Sequence, residues 1–346
     1  MMNDANVGEM LADSVGRLLS DEVTRDSMLR LEAGELDIEL WQSLEGMGLV
    51  MALVPEHAGG SSMSWGDVEL LLRVLGRHLV PLPLGESMIA AHALAEAGLE
   101  VPSGMVAIVE EKLTLDAGAG LSGVGLSVPW ASHAEYGIAI AGSGKENYIC
   151  LFRMDETARE VQETFGRIPT ARVRFGNVPI LAQASAPALG ELGLLPRVAA
   201  LRVAQIAGAL AGVLELCIEY ANLRVQFGKP IGKFQAIQQM IAELAAETAA
   251  AQSAAAFACQ QLEARDDIRG AMVAKTRAGQ AAGRGARIAH QVFGAIGVTD
   301  EHMLHYFTRR LWQWRSEAGS EHWWSERLGR HILGTDGFLL WESIAD

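Results

Sequence analysis

The chain reads as an α+β protein, mainly helical, with a small β domain between two helical ones. Three observations predict this. Apolar residues recur at three- and four-residue intervals through residues 1–104 and again from residue 186, which is the spacing of a buried helical face. From 105 to 185 that period gives way to short runs of β-formers. Late in the chain Gly228-Lys-Pro-Ile-Gly232 interrupts two long helical runs, and Pro230 has no backbone N–H to continue a helix. The flanking helices then turn back on each other. These boundaries divide the chain into residues 1–104, 105–185 and 186–346, the last a four-helix-bundle-like domain.

Val7, Met10, Leu11, Val15, Leu18 and Leu19 place one apolar stripe on a first helix. A second runs from Leu36 to Met47 and stops at Gly48. Leu49–Val54 is an apolar run closed by Pro55-Glu-His-Ala-Gly-Gly60, a connecting loop, and Ser64 stands as the cap of the helix that opens at Trp65. In the middle third, Met105–Val109, Tyr136–Ala141 and Tyr148–Phe152 read as strands, with Gly142-Ser-Gly-Lys145 as a hairpin turn and a further strand through Val173, Phe175 and Val178. Val198 to Tyr220 then marks a long helix with small residues such as Gly208 where a neighbour can approach. Further helices start at Phe234 and span Asp267 to Phe293.

The net charge of −14 excludes nucleic acid or anionic lipid as the main partner, while leaving room for a local basic pocket. Charged residues make up 20% and apolar ones 50%, the balance of a globular chain. Cys150, Cys217 and Cys259 are odd in number and widely spaced, so they read as reduced core residues. The first residues lack the pattern of a signal peptide, and no uninterrupted apolar run reaches a membrane span. A cytoplasmic protein without membrane contact is expected.

Chemistry concentrates at a few places. Arg224, Gln226 and Phe227 precede the Gly-Pro-Gly break: a guanidinium for phosphate oxygens, an amide, and an aromatic face. The same residues also suit a solvated helix end beside a packed Phe. Gln291-Val-Phe-Gly294-Ala-Ile-Gly297 closes the helix from Asp267, where the glycines allow either a helix cap or a close backbone approach to an anion. His302 and His305 stand three apart with no third ligand at metal spacing, so no metal site is expected. Trp312, Trp314, Trp323, Trp324 and Trp341 read as packing of the last helices or an interface.

Arg224-Val-Gln-Phe-Gly-Lys-Pro-Ile-Gly-Lys-Phe-Gln235 resembles the R-x-Q-F-G-x-P-I-x-x-F-Q turn of the acyl-CoA dehydrogenase flavoproteins. Two other stretches are similar to family elements: Gly48-Leu to Gly60 with the later Leu75-Gly-Arg77, and Gln291 to Gly297, where Ala295 replaces one glycine of a Q-x-x-G-G-x-G element. The resemblance implies an acyl-CoA dehydrogenase-like fold. It also implies FAD as cofactor, with Arg224, Gln226, Phe227, Gln291, Gly294 and Gly297 on its ADP side. The loop Pro55–Gly60 would then edge the substrate cavity.

The chain departs from the family in its middle domain. Val109-Glu-Glu-Lys112 lacks the family's following Gly-Ser-Asp, and Val128-Pro-Trp-Ala-Ser132 stands in place of Trp-Ile-Thr, so the elements that grip the flavin ring are reduced. The family's catalytic Glu falls at Ala318 when counted without gaps, which leaves Glu317, one residue away, as the candidate base. A helix end rotates about 100° per residue, so that register matters. The alternative base position, near Val198, holds no acid within a turn. Thr299-Asp-Glu-His-Met-Leu-His305 is similar to short chains that form one half of a heteromeric enzyme. The expectation is a subunit of an FAD-dependent acyl-CoA dehydrogenase that desaturates a CoA thioester and passes electrons to a separate acceptor. A homologous partner subunit in a heterotetramer would complete the site. The alternatives are a homo-oligomer using Glu317 and a flavin-free structural subunit. Resemblance to short heteromeric chains points to a bulky acyl group, such as a sterol side chain.

Overall fold

In a computed structural model of the chain, the described residues are 7–116, 120–142, 146–265 and 267–334. The first helix, α1 (Val7–Glu22), buries Val15 and Leu19 of the expected stripe. Thr24 caps α2 (Arg25–Glu32), and the Asp37 carboxylate accepts the Leu40 N–H at 3.0 Å, so α3 (Ile38–Gly46) starts just inside the apolar run. Ser64 caps α4 (Trp65–Arg77) by accepting the Asp67 N–H at 3.1 Å, as the spacing predicts. The next helix, α5 (Leu84–Glu96), is buried along most of its length. Its Ser87 hydroxyl accepts the Val106 N–H at 3.1 Å, which ties the helix to the first strand.

Seven strands form one mixed sheet: β1 (Val106–Leu115), β2 (Gly120–Pro129), β3 (Tyr136–Ala141), β4 (Tyr148–Arg153), β5 (Ala158–Gln162), β6 (Thr170–Pro179) and β7 (Ala182–Ser185). Their order is β5-β6-β2-β1-β3-β4-β7, with β1 parallel to β3 and every other neighbouring pair antiparallel. Sequence reasoning found β1, β3, β4 and β6. It missed β2, which is rich in Gly and Ser and owes its place to partners on both sides, and the short edge strands β5 and β7. The expected turn residues Ser143–Lys145 lie outside the described residues.

The C-terminal bundle comprises α6 (Leu195–Leu223), α7 (Gln235–Glu263), α8 (Asp267–Phe293), α9 (Leu304–Ser316) and α10 (Glu321–Leu333). Between α6 and α7 lies a two-stranded ribbon, β8 (Val225–Gln226) and β9 (Lys229–Pro230). Gly76 and Gly208 let α4 and α6 touch backbone to backbone. A Cβ on Gly208 would stand 1.9 Å from the Arg73 carbonyl oxygen, and one on Gly76 would stand 2.2 Å from that of Gln205. By length and composition α6 could cross a bilayer, but charged residues interrupt its apolar run and 72% of its apolar window is buried inside the protein. Trp314 and Trp324 are buried, Trp312 is partly exposed beneath the Arg315 guanidinium, and Trp323 meets Trp324 edge-on. Trp341 lies outside the described residues.

Candidate functional site

At the end of α6 the Arg224 N–H still donates to the Tyr220 carbonyl at 2.8 Å, and the chain then leaves the helix. Gln226 pairs with Lys229 across the ribbon, and the two residues between them, Phe227 and Gly228, have φ of +51° and +80°. Positive φ at both central positions is the geometry of a tight hairpin turn that follows strand twist. Glycine adopts it freely, whereas an aromatic residue rarely does. Phe227 is 93% exposed and meets Phe234 edge-on, so it is not a packed staple. The Ile231 N–H returns to the Arg224 carbonyl at 2.8 Å and buries Ile231 as the anchor of the turn.

The end of α8 meets this turn. Tyr220 stacks on Phe293 with centroids 4.2 Å apart, and the tyrosine hydroxyl donates to the Phe293 carbonyl. Between the two elements lies a cleft of about 300 Å³ whose walls include Arg224, Gln226, Phe227, Gln291 and Gly294. The residues of the turn and those at the end of α8 are 64 or more positions apart, and only the helix packing joins them. Gly294 needs its glycine for a φ of +64°. Gly297 plays a different part: it is buried, and a Cβ there would lie 2.9 Å from Phe293 Cβ and 3.0 Å from Leu304 Cδ2. Its smallness serves packing beneath the cleft. His302 packs on Phe293 and its Nδ1 accepts the Leu304 N–H, while His305 Nδ1 lies 2.7 Å from the His302 carbonyl.

Glu317 sits elsewhere, at the end of α9, in a buried ionic cluster. Its Oε2 lies 2.6 Å from Arg202 Nε, and its Oε1 accepts from the Gln313 amide at 2.5 Å. Arg202, on α6, also contacts Glu86 of α5 at 2.8 Å and donates to the Gln205 amide oxygen at 2.8 Å. Trp130 Nε1 donates to the same Glu86 at 3.1 Å. Burial works against the Arg202 charge, but Glu317 and Glu86 outweigh it and hold the guanidinium above its ordinary range. Nearby, burial and then the Glu317 charge push Glu110 up to about 7. Burial brings Lys275 down to about 7 and Arg310 down to about 10. Sequence reasoning missed Arg202, Glu86 and Lys275. The available signal was their position: charged residues on the apolar stripes of α5, α6 and α8 require a buried partner.

A second cleft, of about 390 Å³, opens where the loop after Leu53, α5, the start of α6 and the α7–α8 connection converge. Pro55 and Ser62 line it with Trp65, His92 and Arg197. Arg197 is buried and paired to Glu96 at 2.6 Å and Asp267 at 3.3 Å, and burial takes the neighbouring His92 down to about 4.

Comparison with known proteins places this architecture. The family profile described as "Acyl-CoA dehydrogenase, N-terminal domain" matches residues 7–101, and "Acyl-CoA dehydrogenase, C-terminal domain" matches residues 195–333. Acyl-CoA dehydrogenase IpdE2 of Mycobacterium tuberculosis is 27% identical over 307 residues, covering 87% of this chain and 90% of the relative. Among solved structures, a Tcur3481–Tcur3483 steroid ACAD variant superimposes with a TM-score of 0.87 at 25% identity, covering 96% of this chain and 99% of that one. The ChsE4–ChsE5 complex from Mycobacterium tuberculosis shares the fold, with a TM-score of 0.84 at 21% identity over 95% of this chain and 98% of that one. The chain belongs to the acyl-CoA dehydrogenase family.

Proposed function

We propose that this chain is one subunit of an FAD-dependent acyl-CoA dehydrogenase and lends the ADP side of a flavin site to a homologous partner. One observation carries the reading: Arg224, Gln226, Phe227, Gln291 and Gly294 share one exposed cleft, whereas Glu317 is tied into a buried ion cluster. The donor set of the cleft fits a dinucleotide. Arg224 would face the pyrophosphate oxygens, Gln226 and Gln291 would supply neutral hydrogen bonds, and Phe227 would give an apolar face to a ring. Bound FAD supplies the hydride acceptor for α,β-desaturation of a CoA thioester. A carboxylate must take the α-proton in the same reaction. In this chain the Glu317 oxygens are engaged by Arg202 and Gln313, so the base comes from the partner.

The turn exposes Leu223 and Val225 as well as Phe227, a patch of apolar surface suited to cover by a second chain. The likeness to a steroid ACAD supports a bulky, ring-derived acyl group, and the reduced flavin would pass its electrons to a separate acceptor. The self-sufficient alternative needs a free Glu317, and no contact of that residue favours it. The test is the visible absorption spectrum of the purified chain, alone and after co-expression with an adjacently encoded dehydrogenase chain. A colourless lone chain that gains flavin and acyl-CoA turnover with its partner is the expected result. Full flavin loading and turnover by the lone chain would overturn it.

A further inference from the structure

We infer that Arg202 is an internal block on Glu317: its side chain fills the space between Glu86 and Glu317 and keeps this chain from presenting a carboxylate base of its own. The inference deepens the subunit reading above and rests on it for its biological meaning, but its evidence is separate. The guanidinium is fixed from several sides. Arg202 is 1% exposed, contacts Glu86 and Glu317 at 2.8 and 2.6 Å, and donates to Gln205 one turn along its own helix. Glu86 is in turn held by the Trp130 indole. An arginine does not lose its proton at any physiological pH, so the pairing cannot be released by titration of the cation.

The Glu317 side is equally constrained. Beyond it Ala318 and Gly319 take φ of +51° and +80°, and the Ala318 carbonyl accepts from Trp324 Nε1 at 2.7 Å. Lys275, fully buried, donates to the carbonyls of Arg315 and Gly319 at 2.9 and 2.7 Å. The loop that carries Glu317 is therefore pinned before and after it, and the carboxylate has no backbone freedom to swing away from Arg202. Arg202 from α6 takes one carboxylate oxygen and Gln313 takes the other, which does what loss of the acid itself would do.

Carbodiimide-driven amidation of carboxylates in the purified chain, followed residue by residue by peptide mass spectrometry, tests this. In the wild-type chain Glu317 should react at least about tenfold more slowly than exposed Glu301, because Arg202 pairs with one of its oxygens and Gln313 hydrogen-bonds the other. In Arg202→Gln, Glu317 should react several-fold faster than in the wild-type chain, with Gln313 still bonded to its second oxygen. Glu247, buried between Arg277 and Arg284 in the bundle, should stay protected and so report an intact fold. Arg202→Gln with Glu86→Gln makes the same comparison without leaving the Glu86 charge uncompensated. Wild-type Glu317 reacting as fast as Glu301 overturns the inference, and so does a Glu317 rate unchanged from wild type in either variant while Glu247 is protected. Flavin loading of the lone chain is a different readout: a fully loaded lone chain with a protected Glu317 would sink the subunit reading and leave the block standing.

Discussion

Burial moves Glu110 and Lys275 toward one another in protonation, and each leaves a mark on stability. Glu110 titrates near 7 in the folded chain against 4.5 unfolded. Between those values the folded chain keeps a proton that the unfolded chain has shed, so the Glu110 contribution is complete below 4.5 and is lost as pH rises through 7. The shift corresponds to ~3 kcal/mol at most. We expect Glu110→Gln to flatten the fall in urea-unfolding free energy between pH 4.5 and 7. An unchanged slope would show that the carboxyl is solvated. Lys275 has the opposite sign: with a folded value near 7 against 10.5, its contribution grows as pH rises from 7 to 10.5. At this scale the sequence offered candidates, but not what they touch. Glu317 and Gly297 were both legible as candidates. Their neighbours, Arg202 for one and Phe293 with Leu304 for the other, come from three-dimensional packing and decide what each does.

Among the elements, the contact of α4 with α6 is the tightest joint between the N-terminal helices and the bundle. Gly208 sits against the Arg73 carbonyl and Gly76 against that of Gln205, and neither obstacle is a flexible side-chain tip. A methyl group must therefore push one helix backbone off the other. Gly208→Ala should cost at least ~3 kcal/mol, and a loss within 0.5 kcal/mol by chemical denaturation would contradict the crossing. The long helices were legible because their caps and apolar period are local: Ser64, the break at Pro230 and the span Asp267 to Phe293 all stand where the chain places them. β2 was not. Its glycines and serines have weak strand preference, and only pairing with β1 and β6 makes it a strand.

For the whole molecule, the cleft at the α6–α7 turn faces outward while the chemistry at Glu317 is turned inward. We propose that a chain arranged this way contributes to a site that it does not complete. Replacing Arg224 with Ala in the co-expressed complex should weaken flavin retention by about 10- to 100-fold, the range for one hydrogen-bonded charge. The check is flavin absorbance per complex after gel filtration, with assembly itself unchanged. An undiminished flavin content would favour a flavin-free structural role for this chain.

By itself the sequence determined the family and the mainly helical α+β architecture, and it put forward the residues proposed to face a dinucleotide. Those features rest on local chemistry: proline and glycine breaks, caps, helical periodicity, and a guanidinium, amide and aromatic within four positions. Tertiary structure alone decided that α8 brings Gln291 and Gly294 to the same cleft as Arg224, and that Arg202 meets both Glu86 and Glu317 across three elements. The physical reason is that a buried charge must find its partner through space. The partner here stands more than a hundred positions away, beyond the reach of any local pattern.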